Sequence, residues 1–200
     1  FFIFFSHKYC NFVLIMNKEQ KSPVYGHDVI EFTTVALQYC AFVENAAEKE
    51  RTEFVDTLLK LLPLLYLKGI LFQKFDQLDE GESENSFQYV TIENYDIVRN
   101  NIAFVLRDMD DYLDVFVEEM KYSDAPILMT ISENLADIYQ DLKNYICAYK
   151  DGTEEIKMRA LADCKKNFEQ YWGQKLTNVM RALHEVRYGN NHCDDEIFEY

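Results

Sequence analysis

Five aspartates at helical spacing are the first candidates for chemistry in this chain. They are Asp110, Asp111 and Asp114 in the string DDYLD, and Asp137 and Asp141 in the string DIYQD. Residues three and four apart share one face of a helix, so each string would set its carboxylates side by side. Carboxylate oxygens suit Mg²⁺ or Mn²⁺, and helical isoprenoid synthases hold a magnesium diphosphate in this way. The alternative, which we favour, is that these aspartates form a solvated face, since the two strings lie close together in sequence without a basic diphosphate clamp.

Other catalytic patterns fit less well. The four histidines are His7, His27, His184 and His192, and none follows a Glu or Asp by three positions, as ferritin-like di-metal bundles require. Arg187 and His192 have the spacing of a motif in helical ribonucleases, but Gly189 is expected to break the helix between them. We find neither a glycine-rich phosphate loop nor a nucleophile elbow in the sequence.

Two long amphipathic helices would position the second pair of aspartates. Apolar residues recur about every 3.6 positions, the α-helical period, in both segments. The first stripe is Ile127, Ile131, Leu135, Ile138, Leu142, Tyr145 and Tyr149, and the second is Leu161, Cys164, Phe168, Trp172, Leu176, Val179, Leu183 and Val186.

The ends of these helices carry capping residues. Ser123 or Asp124 would cap the first, with Pro126 in its first turn and Gly152 after its end. Thr153 would cap the second, which would run to about Tyr188. Gly173, in its middle, predicts a close helix–helix contact or a slight bend. Phe168 and Trp172 should be buried against Ile138 or Leu142.

The first half of the chain predicts two helices and a third that holds the first aspartate string. The first should run from Asp28 to about Ala47, and the second from about Lys49 to Leu67. The apolar stretch from Leu58 to Phe72 predicts a buried central helix, kinked or split at Pro63. An acidic loop over 77–86 and a short extended piece over 87–92 follow. An apolar stripe then runs from Tyr95 to Met120, as one helix or as two that meet near Asp110.

Length and composition predict a single all-α domain. Only 6 Gly and 3 Pro in 200 residues argue against a many-stranded sandwich, which needs frequent turns. We expect a bundle of five or six amphipathic helices over residues 27–188, with a long C-terminal helix. Residues 1–15 are interpreted as translated upstream sequence or a disordered arm, 16–26 as a leader, and 189–200 as an acidic tail.

The net charge limits the kinds of partner that we expect, and the cysteines indicate the compartment. A net charge of −15 repels phosphate backbones and anionic lipids, so we expect neither general nucleic-acid binding nor membrane binding. The five cysteines form no CxxC pair, and an odd number at this spacing is typical of a reducing cytoplasm.

Three stretches of the sequence resemble a known family. HDVIEFTTVALQYCAFVE (27–44), YSDAPILMTISENLADIYQDLKNYI (122–146) and NFEQYWGQKLTNVMRALHEV (167–186) are similar to a bacterial domain of unknown function, typical of gut Bacteroidetes. The resemblance implies a helical, cytoplasmic protein. It implies no activity, and no functional residue can be transferred from it.

These observations favour a cytoplasmic, non-enzymatic module that binds or regulates an unidentified protein, without a cofactor. The 14 Tyr and 15 Phe predict some exposed aromatic side chains rimmed by carboxylates, suited to a basic, apolar partner. The alternative is a hydrolase or transferase that uses Mg²⁺ or Mn²⁺ at the five aspartates. The sequence leaves the oligomeric state open.

Overall fold

Six α-helices form the structure, a computed structural model that describes residues 22–72, 87–114 and 127–189. The helices are α1 (His27–Glu44), α2 (Arg51–Leu71), α3 (Ile92–Leu106), α4 (Ile131–Asp151), α5 (Glu154–Asn167) and α6 (Gly173–Tyr188). Two strands, β1 (Asp111–Asp114) and β2 (Ile127–Thr130), pair as an antiparallel sheet. The predicted all-α domain is confirmed.

Helix α4 is the centre of the bundle, and it packs against α1, α3, α5 and α6. Its strongly one-sided apolar pattern buries residues along its whole length. Two buried tyrosines tie it to the N-terminal part of the chain. The Tyr39 hydroxyl on α1 donates to the Leu135 carbonyl at 2.8 Å, and the Tyr149 hydroxyl donates to the Val24 carbonyl at 2.6 Å.

The C-terminal helix is continuous over residues 154–188, as the sequence predicts. The Thr153 hydroxyl accepts from the backbone N–H of Ile156 at 3.4 Å, which confirms the predicted cap. In the middle, Phe168–Trp172 form one π-helical stretch, called here the π turn. Phe168 and Trp172 are buried, and their rings contact Tyr66 on α2 and Phe32 on α1.

Gly173 follows the π turn because a larger residue would not fit there. A Cβ atom at this position would lie 2.4 Å from the Phe168 carbonyl oxygen and 3.0 Å from its ring. The sequence predicts a close contact with another helix, or a slight bend, at Gly173; the close contacts found there are instead with Phe168 of the same helix, within the π turn.

The prediction of one helix from Tyr95 to Met120, or of two that meet near Asp110, is wrong over residues 107–114, and its part over 115–120 lies outside the described residues. Helix α3 ends at Leu106, and Arg107 takes a positive φ of 54°. A short 3₁₀ turn over Arg107–Met109 leads into β1. Asp110, Asp111 and Asp114 therefore do not share a helix face.

The paired strands β1 and β2, called here the hairpin, invert the predicted burial of Leu113 and Asp114. Leu113, expected in the core, is 56% exposed, whereas Asp114, expected in solvent, is 5% exposed. Alternation along a strand causes this, because neighbouring residues point to opposite faces. Leu113 lies directly across from Leu128 in β2. Ile127, which the sequence places in the helical stripe of α4, lies in β2 instead. Helix α4 therefore begins later than predicted, and the Thr130 hydroxyl caps it.

Helix α2 is not the buried central helix that the sequence predicts. It runs unbroken through Pro63 and packs against α1 and α6 with one face, while part of its other face is exposed. Helix α2 is highly apolar. Even so, none of the described helices is both long and apolar enough to cross a bilayer.

Several sequence interpretations fall outside the described residues. These are the segment 1–15, the acidic loop up to residue 86, the caps Ser123 and Asp124 with Pro126, and the tail from 190 onward. Of the predicted leader, residues 22–26 are described, and Val24 among them is fully buried. The segment before α3, expected to be extended, contains no regular strand over 87–91.

Candidate functional site

Asp110 serves the N-terminus of α4. Its carboxylate accepts from the backbone N–H of Ser132 at 2.7 Å and from the Ser132 hydroxyl at 2.6 Å. Its own carbonyl accepts from the N–H of Ile131 at 2.8 Å. A carboxylate here satisfies free N–H groups and faces the positive end of the helix dipole. Asp110 therefore joins the hairpin to the central helix.

Asp111 and Asp114 point to opposite faces of β1. Asp111 is exposed, while Asp114 is buried and accepts from the side-chain amide of Asn178 on α6 at 2.7 Å. The first aspartate string is thus dispersed, with Asp110 at a helix end, Asp111 in solvent and Asp114 against α6.

Asp137, in contrast, is the centre of a polar cluster on α4. One oxygen accepts from the Tyr95 hydroxyl on α3 at 2.8 Å. The other accepts from the Tyr171 hydroxyl in the π turn at 3.0 Å and from the Lys175 ammonium on α6 at 2.6 Å. Four elements of the bundle therefore converge on one carboxylate.

The same cluster shifts the ionisation of its members. Burial, reinforced by the hydrogen bond to Asp137, raises the pKa of Tyr95. Burial opposes the charge on Lys175, but the hydrogen bond and the charge of Asp137 outweigh it, so the Lys175 pKa is raised. Lys175 also donates to Asn134 at 3.1 Å, and Asn134 donates to the Tyr112 hydroxyl at 2.6 Å. The cluster thus joins α4 to α6 through the Lys175–Asp137 pair.

Asp141 lies one turn further along α4, at the wall of a cavity of about 470 Å³. The cavity, called here the polar cavity, is bounded by α4, α5 and residues 87–92. The Asn167 amide donates to Asp141 at 2.8 Å. Burial raises the pKa of Asp141 to about 6, the negative charge of Asp137 adds to the shift, and Asn167 and Lys175 oppose it.

Asp163 on α5 is a second carboxylate of the polar cavity. Burial raises its pKa, and Arg159 and Lys166 reduce that shift. The sequence did not single out Asp163, Asn167 or Lys175, because their role depends on contacts between helices. Among these residues, the sequence alone relates only Asp137 and Asp141, because their spacing is about one helical turn.

The predicted metal ligands do not form one group. Within 22–72, 87–114 and 127–189, no three His, Cys, Asp or Glu side chains are placed to hold a metal ion. Asp110, Asp114, Asp137 and Asp141 each accept hydrogen bonds from nitrogen or hydroxyl donors, as described above.

A second candidate surface is the outer face of α2. Four large aliphatic side chains, called here the apolar band, are 39–53% exposed; they are Leu64, Leu67, Ile70 and Leu71. At 3.6 residues per turn, their positions fall within roughly one third of the helix circumference. Beside them, between α1 and α2, lies a groove of about 790 Å³ lined by Phe42, Leu61 and Leu64.

Comparison with known proteins identifies the family. A family described as "Domain of unknown function (DUF5063)" matches residues 23–189, which is most of the chain. The chain belongs to this family. The protein BF1032 from Bacteroides fragilis, a structural genomics target, has a similar crystal structure: 44% identity, a TM-score of 0.72, and coverage of 84% of this chain and 96% of that one. The curated proteins contain no match.

The resemblance seen in the sequence is therefore confirmed, but the family description assigns no activity. Inferences about this DUF5063 chain must come from its own side chains. Arg187, considered as part of a ribonuclease motif, donates to Asp56 on α2 at 2.5 Å and so links α6 to α2. Its predicted partner His192 lies outside the described residues.

Proposed function

We propose that the protein is a non-enzymatic interaction module that binds an apolar helix of a partner protein along α2. The apolar band is the observation that carries this proposal. Soluble proteins rarely expose contiguous aliphatic surface without a use for it, and a band beside a groove is how helices are commonly bound.

Helix α2 has apolar residues on two opposite faces, although the fold needs only one. Phe54, Leu58, Leu62 and Leu65 are fully buried, and they lie on the side away from the apolar band. A helix that only completes a bundle has a polar outer face. The second apolar face therefore supports a partner that covers it.

The charges at the groove favour an acidic partner helix. Lys49, Lys60 and Glu48 line the groove, so lysines outnumber carboxylates there in a chain of net charge −15. Lys49 is paired with Glu53 at 3.3 Å within the chain, but this pair is largely exposed and contributes little, so a carboxylate of a partner can compete with Glu53 for Lys49. We infer that the partner helix carries carboxylates beside an aliphatic stripe.

This inference differs from the basic, apolar partner that the net charge and the aromatic content together predict. In the described parts of the chain, the exposed aromatic residues are distributed over separate elements: Tyr89 before α3, Phe104 on α3, Tyr171 in the π turn and Tyr188 at the end of α6. The exposed aliphatic residues of α2 are contiguous, so they are the better candidate. The described cysteines are free thiols, which fits the proposed cytoplasmic location.

A synthetic peptide tests the proposal directly. The probe is a helix with leucines every three or four positions, flanked by glutamates, and its binding is measured by fluorescence anisotropy. We expect saturable binding that Leu67→Glu weakens by about tenfold or more, because it buries a charge at the contact. Ile97→Glu is the matched control, since Ile97 is also exposed but lies on α3.

The native partner is then sought with a photocrosslinking amino acid at position 67 in the native host, with position 97 as control. The proposal is supported by a partner that crosslinks from position 67 but not from position 97. The purified partner must also bind the original chain but not the Leu67→Glu variant. Equal peptide binding by all variants, or none, contradicts it. A dimer of this chain that Leu67→Glu dissociates also overturns it, because α2 would then bind a second copy.

A further inference from the structure

The polar cavity differs from the apolar band in shape and chemistry. Its volume of about 470 Å³ lies within the range of small-molecule sites. Its wall over residues 87–92 is fixed, because the Asn144 side-chain oxygen accepts from the backbone N–H groups of Tyr89 and Val90 at 2.7 and 2.8 Å. The cavity is therefore part of the folded structure and does not depend on a ligand to form.

Two carboxylates give the lining its charge. Asp141 and Asp163 line the cavity together with the amides of Gln88, Gln140, Asn144 and Asn167, which both donate and accept, while none of the described side chains that line it is Lys, Arg or His. Asp141 is largely buried and receives one amide hydrogen bond, from Asn167. A buried carboxylate costs free energy unless donors or a positive charge compensate it.

Two cations close to these carboxylates are already engaged. Lys175 is paired with Asp137 at 2.6 Å, and the Arg159 guanidinium lies 4.5 Å from the ring centre of Phe87, which lines the cavity. Arg159 and Lys166 act on Asp163 from α5, the helix that carries it. Asp141 is thus the carboxylate of the cavity with the least compensation.

We propose that the polar cavity binds a guanidinium group, with Asp141 as its main acceptor and Gln140 and Asp163 beside it. A guanidinium carries only donors, pairs with a carboxylate through two parallel hydrogen bonds, and is less strongly hydrated than an ammonium. Val90, Tyr145 and Ala160 supply apolar surface for the guanidinium and for the chain attached to it. This site is independent of the apolar band on α2.

The test is titration of the full chain with butylguanidinium, followed by amide chemical shifts. We expect saturable shifts in residues 140–144 and 160–167, and none with butylurea, which has the same shape without the charge. Asp141→Asn should weaken binding by about tenfold or more, because the charge-assisted pair is lost. Glu155→Gln removes the same charge from an exposed position of α5 and should leave the affinity unchanged.

The source of the guanidinium is distinguished by a second probe, N-acetyl-arginine N-methylamide. Comparable binding of this probe points to an arginine side chain of a protein; its exclusion, with butylguanidinium still bound, points to a free small molecule. The proposal is overturned if butylguanidinium gives no saturable shifts up to about 100 mM, a concentration that would detect even very weak binding. It is equally overturned if butylurea binds as well, or if Asp141→Asn and Glu155→Gln have the same effect.

Discussion

Asp141 shows at the scale of one residue how a candidate site costs stability. Burial raises its pKa from 3.8 to about 6, so the folded chain holds this proton more tightly than the unfolded chain. Stability therefore falls as pH rises from about 4 to about 6, and the loss is complete above that range. A shift of this size corresponds to about 2–3 kcal/mol.

Asp141→Asn should therefore stabilise the chain at neutral pH by about 1–3 kcal/mol and have little effect near pH 4. The amide oxygen can still accept from Asn167, so the local hydrogen bond survives. Urea denaturation at both pH values measures this. Glu155→Gln controls for the loss of one negative charge from an acidic chain, and a gain equal to that of the control would contradict the prediction.

Arg107 is a second residue whose conformation has a measurable consequence. It is the one non-glycine residue with positive φ in the described parts of the chain, at 54°. Such a conformation costs about 1–3 kcal/mol for a residue with a side chain, and glycine adopts it freely.

Arg107→Gly should therefore raise the free energy of unfolding by about 0.5–1 kcal/mol, after the greater flexibility of glycine in the unfolded chain is subtracted. Arg107→Ala keeps the Cβ atom and so keeps the strain. Chemical denaturation of both variants separates the backbone from the side chain. Equal stabilities of the glycine and alanine variants would show that the backbone at position 107 is not strained.

At the scale of elements, the sequence predicts the presence of helices better than the position at which α3 ends before β1. Val105, Met109 and Leu113 continue the helical stripe of α3, yet the helix ends at Leu106 and a 3₁₀ turn follows. No glycine or proline in the sequence marks this end. Thr153 and Gly189, by contrast, are capping residues that act locally, and the helix bounds they predict are confirmed.

The π turn gives the prediction at this scale. Gly173→Ala should destabilise the chain by about 1–3 kcal/mol, because the new Cβ would meet the Phe168 carbonyl, which cannot move without unwinding the helix. Gly69→Ala should cost less, since its Cβ would lie 3.1 Å from the end of the Phe168 ring, and a ring can shift slightly. Thermal unfolding of both variants measures the difference, and the reverse order would contradict this account.

At the scale of the whole molecule, the candidate site shows where sequence reasoning stops. The spacing of Asp137 and Asp141 places them on one helix face, but Tyr95, Tyr171 and Lys175 reach Asp137 from three other elements. The sequence shows that the segment from Leu58 to Phe72 is rich in apolar residues. That composition suits a buried helix as well as a helix with an exposed apolar band. Which face of α2 is covered depends on the positions of α1 and α6.

The net charge of −15 is the property of the whole chain with the plainest physical consequence. Compact folding brings these charges together, so their repulsion destabilises the folded state. Salt screens this repulsion, with a Debye length of about 10 Å at 0.1 M. It also screens favourable pairs such as Arg99 with Asp96, but exposed pairs contribute little.

We therefore expect the melting temperature to rise by about 2–4 °C between low salt and roughly 0.5 M NaCl, as for a gain of about 1 kcal/mol in a chain of this size. Glu155→Lys removes two units of negative charge at an exposed position, so this variant should respond less to salt than the original chain does. Scanning calorimetry over the salt series measures both responses. A melting temperature that falls with salt would mean that the ion pairs between helices outweigh the repulsion, and the acidic surface would then be arranged to stabilise the fold.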